Sequence, residues 1–111
     1  MPSLLDEPLL SPATEAPAAQ ELDLATVLHA LSDPVRLSVV AQLADRGECA
    51  CGALELPVSK STCSHHFRVL RDAGVITQRI DGKRRYNRLM RAELDERFPG
   101  LLDAVLAASE L

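Results

Sequence analysis

Between Lys60 and Arg91 the chain carries nine of its twelve Lys and Arg side chains and only two acids, Asp72 and Asp81. That block has a formal charge of +7, the remainder stands at −11, and the whole chain at −4. A small acidic protein with one such block presents a localised patch for a polyanion. The cations come in two settings. Lys60, Arg68 and Arg71 alternate at helical spacing with Ser61, Thr62, Ser64 and His65. Short polar groups near the start of a helix can reach base edges in a major groove while longer cations hold phosphates, and an arginine such as Arg68 can itself chelate a guanine edge. Lys83, Arg84 and Arg85 stand in a row beside Asp81-Gly82. A tight turn there would project all three toward phosphates or a minor groove.

Cys49, Cys51 and Cys63 form the second group with chemistry to offer. An odd, clustered set is not the framework of a secreted disulfide scaffold. Paired thiolates suit a soft metal ion, exposed thiols of low pKa suit a redox or sulfur switch, and a buried cysteine is often a small core residue. The residues leave all three readings open. Two thiols at i and i+2 diverge in a helix, so chelation by Cys49 and Cys51 requires an irregular segment, which Gly52 would permit. Cys63 falls on the apolar side of the next helix, as a core residue or a third thiol ligand. Adjacent histidines on one helix point about 100° apart, so His65 and His66 do not share a metal. Ni(II) at His29, carboxylates or the N-terminal region is a non-thiol alternative without a supporting spacing. Ser64 and His65 are helix neighbours, not a positioned nucleophile and base, and no phosphate loop is present. No enzyme is expected.

The elements that must position these groups are legible from period and punctuation. Residues 1–20 hold four of the seven prolines and no clear period, which reads as a flexible tail; residues 21–111 then form one domain. Leu24, Leu28 and Leu31 set a first helical stripe. Asp33-Pro34 starts a second helix, with Asp33 as N-cap and Pro34 at the first helical position; Val35, Val39, Val40 and Leu43 give it an apolar face, and Gly47 closes it. Residues 49–56 read as one or two helical turns stopped by Pro57. A helix capped by Ser59 or Ser61 runs to about Ala73, with Cys63, Phe67 and Leu70 inward and Lys60, Ser61, Ser64, His65 and Arg68 outward, and Gly74 stops it. Two strands, 75–80 and 85–90, flank the Asp81-Gly82 turn. Helical pattern returns from Ala92, breaks at Pro99-Gly100, and ends in a stripe of Leu101, Leu102, Val105 and Leu106.

Length and composition narrow the class. The chain's 111 residues make a single core. Aromatics are 3% of the residues, too few for a single-strand binder built on base stacking. No apolar run approaches the roughly 18 residues of a membrane span, and no secretory or transit signal is visible, so the expected location is the cytoplasm and no membrane partner is expected. The Leu24/Leu28/Leu31 stripe and the Phe98/Leu102/Val105/Leu106 stripe lie at opposite ends of the fold. A domain of about 90 residues buries only about 60–65% of its unfolded surface, so these stripes are expected to pack against a second copy and set two DNA-reading helices about one duplex turn apart. The alternative is that both close a single core.

Helix, turn, helix and basic hairpin together make a mainly α, winged helix-turn-helix fold (α+β). Three motifs, in order, then resemble the ArsR/SmtB family of bacterial repressors over residues 22–106: Ala30-Leu-Ser-Asp-Pro-Val-Arg-Leu37, Lys60-Ser-Thr-Cys-Ser-His-His-Phe-Arg-Val-Leu-Arg-Asp-Ala-Gly74, and Asp81-Gly-Lys-Arg-Arg-Tyr86. The resemblance implies a homodimeric repressor on a partly palindromic double-stranded operator, released by an effector. Glu48-Cys49-Ala50-Cys51 is similar to the Cys-x-Cys element of members that respond to arsenic, cadmium or lead, which implies As(III), Cd(II) or Pb(II) as effector. The chain departs from that pattern at Leu54, where the arsenic type has a third cysteine, and residues 1–20 contain no cysteine. No histidine follows His66, which excludes the family's fifth-helix zinc site. A winged domain that binds only a protein partner is the rival of another class, and the +7 block argues against it.

Overall fold

A computed structural model describes residues 17–109. Its helices are α1 (Leu24–Ala30), α2 (Pro34–Arg46), α3 (Lys60–Asp72), α4 (Arg91–Arg97) and α5 (Leu101–Ser109), and its strands are β1 (Cys49–Ala50), β2 (Ile76–Asp81) and β3 (Arg84–Leu89). Short 3-10 turns lie at Ala19–Glu21 and Cys51–Ala53. The chain is a winged helix-turn-helix, mainly α with a β-hairpin, as the motif order implies.

Caps set the helix starts. Asp23 accepts from the Thr26 amide at 3.0 Å, Asp33 from Val35 at 2.8 Å and Arg36 at 3.1 Å, and Ser59 from Thr62 at 3.3 Å. These bonds satisfy amides that have no partner within the helix. Ser59, not Ser61, is therefore the cap of α3. The 98° bend between α1 and α2 falls at the Asp33-Pro34 start. No single described helix is long and apolar enough to cross a membrane.

Asp33 also links stability to pH. Burial pushes its carboxyl up, but the Arg36 and Val35 amides, His66 and the Arg36 charge outweigh that and hold it below the usual range. A depressed carboxyl contributes stability above its unfolded value of about 4 and loses it as pH falls through the lower folded value. Asp33→Asn keeps the cap but cannot ionise, so the fall of Tm in acid should become shallower; an unchanged acid limb would disprove the link.

One apolar cluster joins the five described helices to the sheet. Val27, Val39, Val40, Leu43, Leu70, Val75, Ile76 and Met90 are among its most enclosed members. The sheet order is β1-β3-β2, all antiparallel, with Asp81 opposite Arg84 across a two-residue turn. The turn residues are Gly82 and Lys83, one step later than the sequence suggests.

Three expectations need correction. Residues 49–56 are not helical turns. Cys49 and Ala50 instead pair with Asn87 and Tyr86 on the open edge of β3, and a 3-10 turn follows. The packed chain also begins before residue 21, because Ala19 is buried in the first 3-10 turn; the rest of the expected tail, residues 1–16, lies outside the described residues. Finally, Leu31 and Leu102 are enclosed within the single chain, so a partner is not needed to cover them. Leu24 and Leu28 remain 46% and 44% exposed, and Phe98, Val105 and Leu106 are half-buried.

Candidate nucleic-acid interface

Helix α3 sorts its residues cleanly. Lys60, Ser61, Thr62, Ser64, His65 and Arg68 are exposed, whereas His66, Phe67 and Leu70 are buried against the core. Phe67 and Leu70, three apart, anchor one face, and the polar set follows on the other. The two histidines part as their angular separation requires. Nδ1 of His66 lies 3.1 Å from Nη1 of Arg36 and 3.8 Å from Oδ2 of Asp33. Arg36 is itself buried and donates to the Ala30 carbonyl at 2.7 Å. A buried guanidinium needs such partners to replace its lost hydration, so this contact ties α3 to the α1–α2 corner.

The wing presents Lys83, Arg84 and Arg85, all exposed. Among the described residues none of these three, nor Lys60 or Arg68, makes an ion pair with an acid. Other members of the basic block are engaged. Arg79 pairs with Glu48 at 2.8 Å and stacks over Tyr86 at 4.7 Å. Its hydrogen bond holds the Glu48 carboxyl below the usual carboxylate range. Arg91 pairs with Asp103 at 3.0 Å. Arg71 is half-buried and donates to Oε1 of Gln78 at 3.2 Å. Among the described residues the exposed cations without an acid partner are Lys60 and Arg68 on α3, Lys83, Arg84 and Arg85 at the wing tip, Arg88 on β3 and Arg97 on α4.

The thiols lie between these two elements. Cys49 lies in β1 and Cys51 opens the 3-10 turn after it, so the divergence expected of an α-helix does not arise; both adjoin Asn87, Cys49 as its cross-strand partner and Cys51 through its sulfur. Cys51 borders a groove of about 510 Å³ beneath the wing tip. It also borders, with Cys63, a second groove of about 430 Å³ along α3. The Cys63 thiol is half-buried against the core cluster and points to the Val58 carbonyl at 4.0 Å. Among the described residues no three His, Cys, Asp or Glu side chains converge as a metal site. The residues present offer a pair of thiols, not a complete cage.

Asn87 was not singled out by sequence. It is fully buried and its Nδ2 lies 3.1 Å from Sγ of Cys51. The signal was its register, since period two puts Asn87 on the same side as buried Leu89, a polar residue at an inward position. Arg36 carried no comparable signal.

Comparison with known proteins supports the geometry. Residues 31–79 match a helix-turn-helix domain family model. The chain is 39% identical to an arsenical resistance operon repressor of Staphylococcus aureus, over 67% of this chain and 72% of that one. It is 35% identical to the HTH-type transcriptional repressor SmtB of Mycobacterium tuberculosis, over 89% and 73%. The crystal structure of the transcriptional repressor BigR from Xylella fastidiosa superposes with a TM-score of 0.62 at 33% identity, over 81% of this chain and 87% of that one. All three are named as regulators of transcription. The chain belongs to the ArsR/SmtB family of winged helix-turn-helix transcriptional repressors.

Proposed function

We propose that this repressor binds a partly palindromic operator as a homodimer and leaves it when a soft metal or metalloid ion takes the Cys49 and Cys51 thiols. The observation that carries the reading is the division of α3, with its polar and cationic residues exposed and its apolar residues enclosed. Ser61, Thr62, Ser64, His65 and Arg68 face the major groove, Lys60 and Arg71 hold the flanking backbone, and Lys83, Arg84 and Arg85 reach the next phosphates. Leu24 and Leu28, with Phe98, Val105 and Leu106 beside them in role, supply apolar surface for the second copy.

The effector assignment rests on thiol softness and on the placing of Cys49 and Cys51 beside the same residue, Asn87. Relatives named as an arsenical resistance repressor and a cadmium resistance regulator point the same way. Such an ion would be held as a dithiolate by this chain, with any further donor from solvent, the second copy or the residues outside those described.

The test is a titration of the fully reduced protein with Cd(II), As(III), Zn(II) and Ni(II), followed by thiolate absorption and by release of a duplex selected from a random pool. Soft ions should give a thiolate band and release the duplex, and Cys49→Ser/Cys51→Ser should lose both. No band with any of the four ions would remove the thiol-metal reading and bring forward a redox or sulfur effector.

A further inference from the structure

We infer that Cys51, Asn87, Gln78 and Arg71 form a hydrogen-bonded relay through which the occupation of the Cys51 sulfur sets the hold on a cation of α3. Nη1 of Arg71 donates to Oε1 of Gln78 at 3.2 Å, Nε2 of Gln78 to Oδ1 of Asn87 at 3.1 Å, and Nδ2 of Asn87 to Sγ of Cys51 at 3.1 Å. The three links follow the sheet. Gln78 and Asn87 are opposite each other across β2 and β3, and Asn87 is opposite Cys49 across β3 and β1. The relay therefore crosses β3 and β2 and connects the 3-10 turn behind the wing to the far end of the DNA-facing helix.

Its polarity is fixed at the arginine end. A guanidinium only donates, so Gln78 must turn its oxygen to Arg71 and its amide nitrogen to Asn87. Asn87 must then offer its oxygen to Gln78 and its nitrogen to the sulfur. Asn87 is fully buried, so its donor has no solvent to turn to and registers any change at Cys51.

The inference rests on the reading that an ion binds Cys49 and Cys51, and it names how that binding reaches DNA. Coordination would displace the Cys51 thiol proton to solvent and leave the sulfur as a charged acceptor, which donors bind more strongly. Each bond in such a chain polarises the next. Arg71 is then held by Gln78 instead of by a phosphate, and the operator is released. By reciprocity, DNA that draws Arg71 outward weakens ion binding by the same factor.

The experiment measures operator affinity with and without Cd(II), and Cd(II) affinity by the thiolate band, in wild type, Gln78→Met and Gln78→Glu. Wild type should lose about tenfold or more in operator affinity with Cd(II), and Gln78→Met should lose no more than about threefold while binding Cd(II) as wild type does. Gln78→Glu keeps an acceptor for Arg71 but cannot donate to Asn87, so its operator binding should be weak with or without Cd(II). A structural role alone would lower Tm without moving the Cd(II)-linked ratio. A full Cd(II) response in Gln78→Met overturns the relay and leaves the effector reading standing.

If wild type shows no thiolate band, the effector reading fails and the relay is judged without metal. Cys51→Asp places a permanent charged acceptor at the same end. It should weaken operator binding relative to Cys51→Ser, and adding Gln78→Met should restore it. Failure to restore overturns the relay.

Discussion

Replacing Lys83, Arg84 and Arg85 together by glutamine should weaken operator binding by on the order of a thousandfold at low salt and flatten its salt dependence. The three side chains are exposed and unpaired with acids among the described residues, so their charge is available to a duplex. Each phosphate contact contributes about 0.9 to the slope of log K against log salt, and a dimer losing three per subunit would lose about five units. Phosphates carry no sequence, so specific and random duplexes should suffer alike. Arg68→Ala is the contrast. If Arg68 chelates a guanine, its loss should cost about 1–3 kcal/mol and fall mainly on the specific site. Fluorescence anisotropy at several salt concentrations separates the two. A slope unchanged by the wing substitutions would place the wing off the DNA.

The largest effect on stability should come from Gly74→Ala. Gly74 follows α3 with φ +83°, where an L side chain is strained. An added Cβ would overlap Cδ2 of Leu22 and lie 3.0 Å from Cγ of Pro17. The left-handed backbone costs about 1–2 kcal/mol for a non-glycine residue, and overpacking adds about 1–3 kcal/mol. A combined loss of about 3 kcal/mol would lower Tm by about 15 °C in a domain of this size, measured at fixed protein concentration because association would shift Tm. Gly52→Ala is the control. It has no neighbour within 4 Å and no positive φ, and its Tm should stay near wild type. Equal Tm for the two variants would refute the steric account.

The elements legible in sequence were those governed by local rules. Asp33-Pro34 announced a capped start, Gly74 a stop, and period two around Asp81-Gly82 a hairpin. The exposed face of α3 was legible because Phe67 and Leu70 fix which side turns inward. What sequence did not show depends on partners far along the chain. Cys49 and Ala50 have no strand signal of their own; the free edge of β3, some 37 residues later, makes them a strand. The Arg36–His66 contact joins positions 30 apart, and the Asn87–Cys51 contact joins positions 36 apart. Leu31 and Leu102 looked like surface stripes because period alone cannot say which of several apolar faces the chain itself will cover.

The two-residue length of β1 has a kinetic consequence. β2 and β3 share six opposed pairs, whereas β1 is held to β3 by two. Segments with so few backbone bonds open locally at small cost, long before the domain unfolds. Cys49 and Ala50 should therefore leave and rejoin the sheet more readily than β2 does, and the Cys49 thiol rides on that edge. A ligand bridging Cys49 and Cys51 would quench that breathing, so its arrival would be felt first as a loss of motion at one sheet edge.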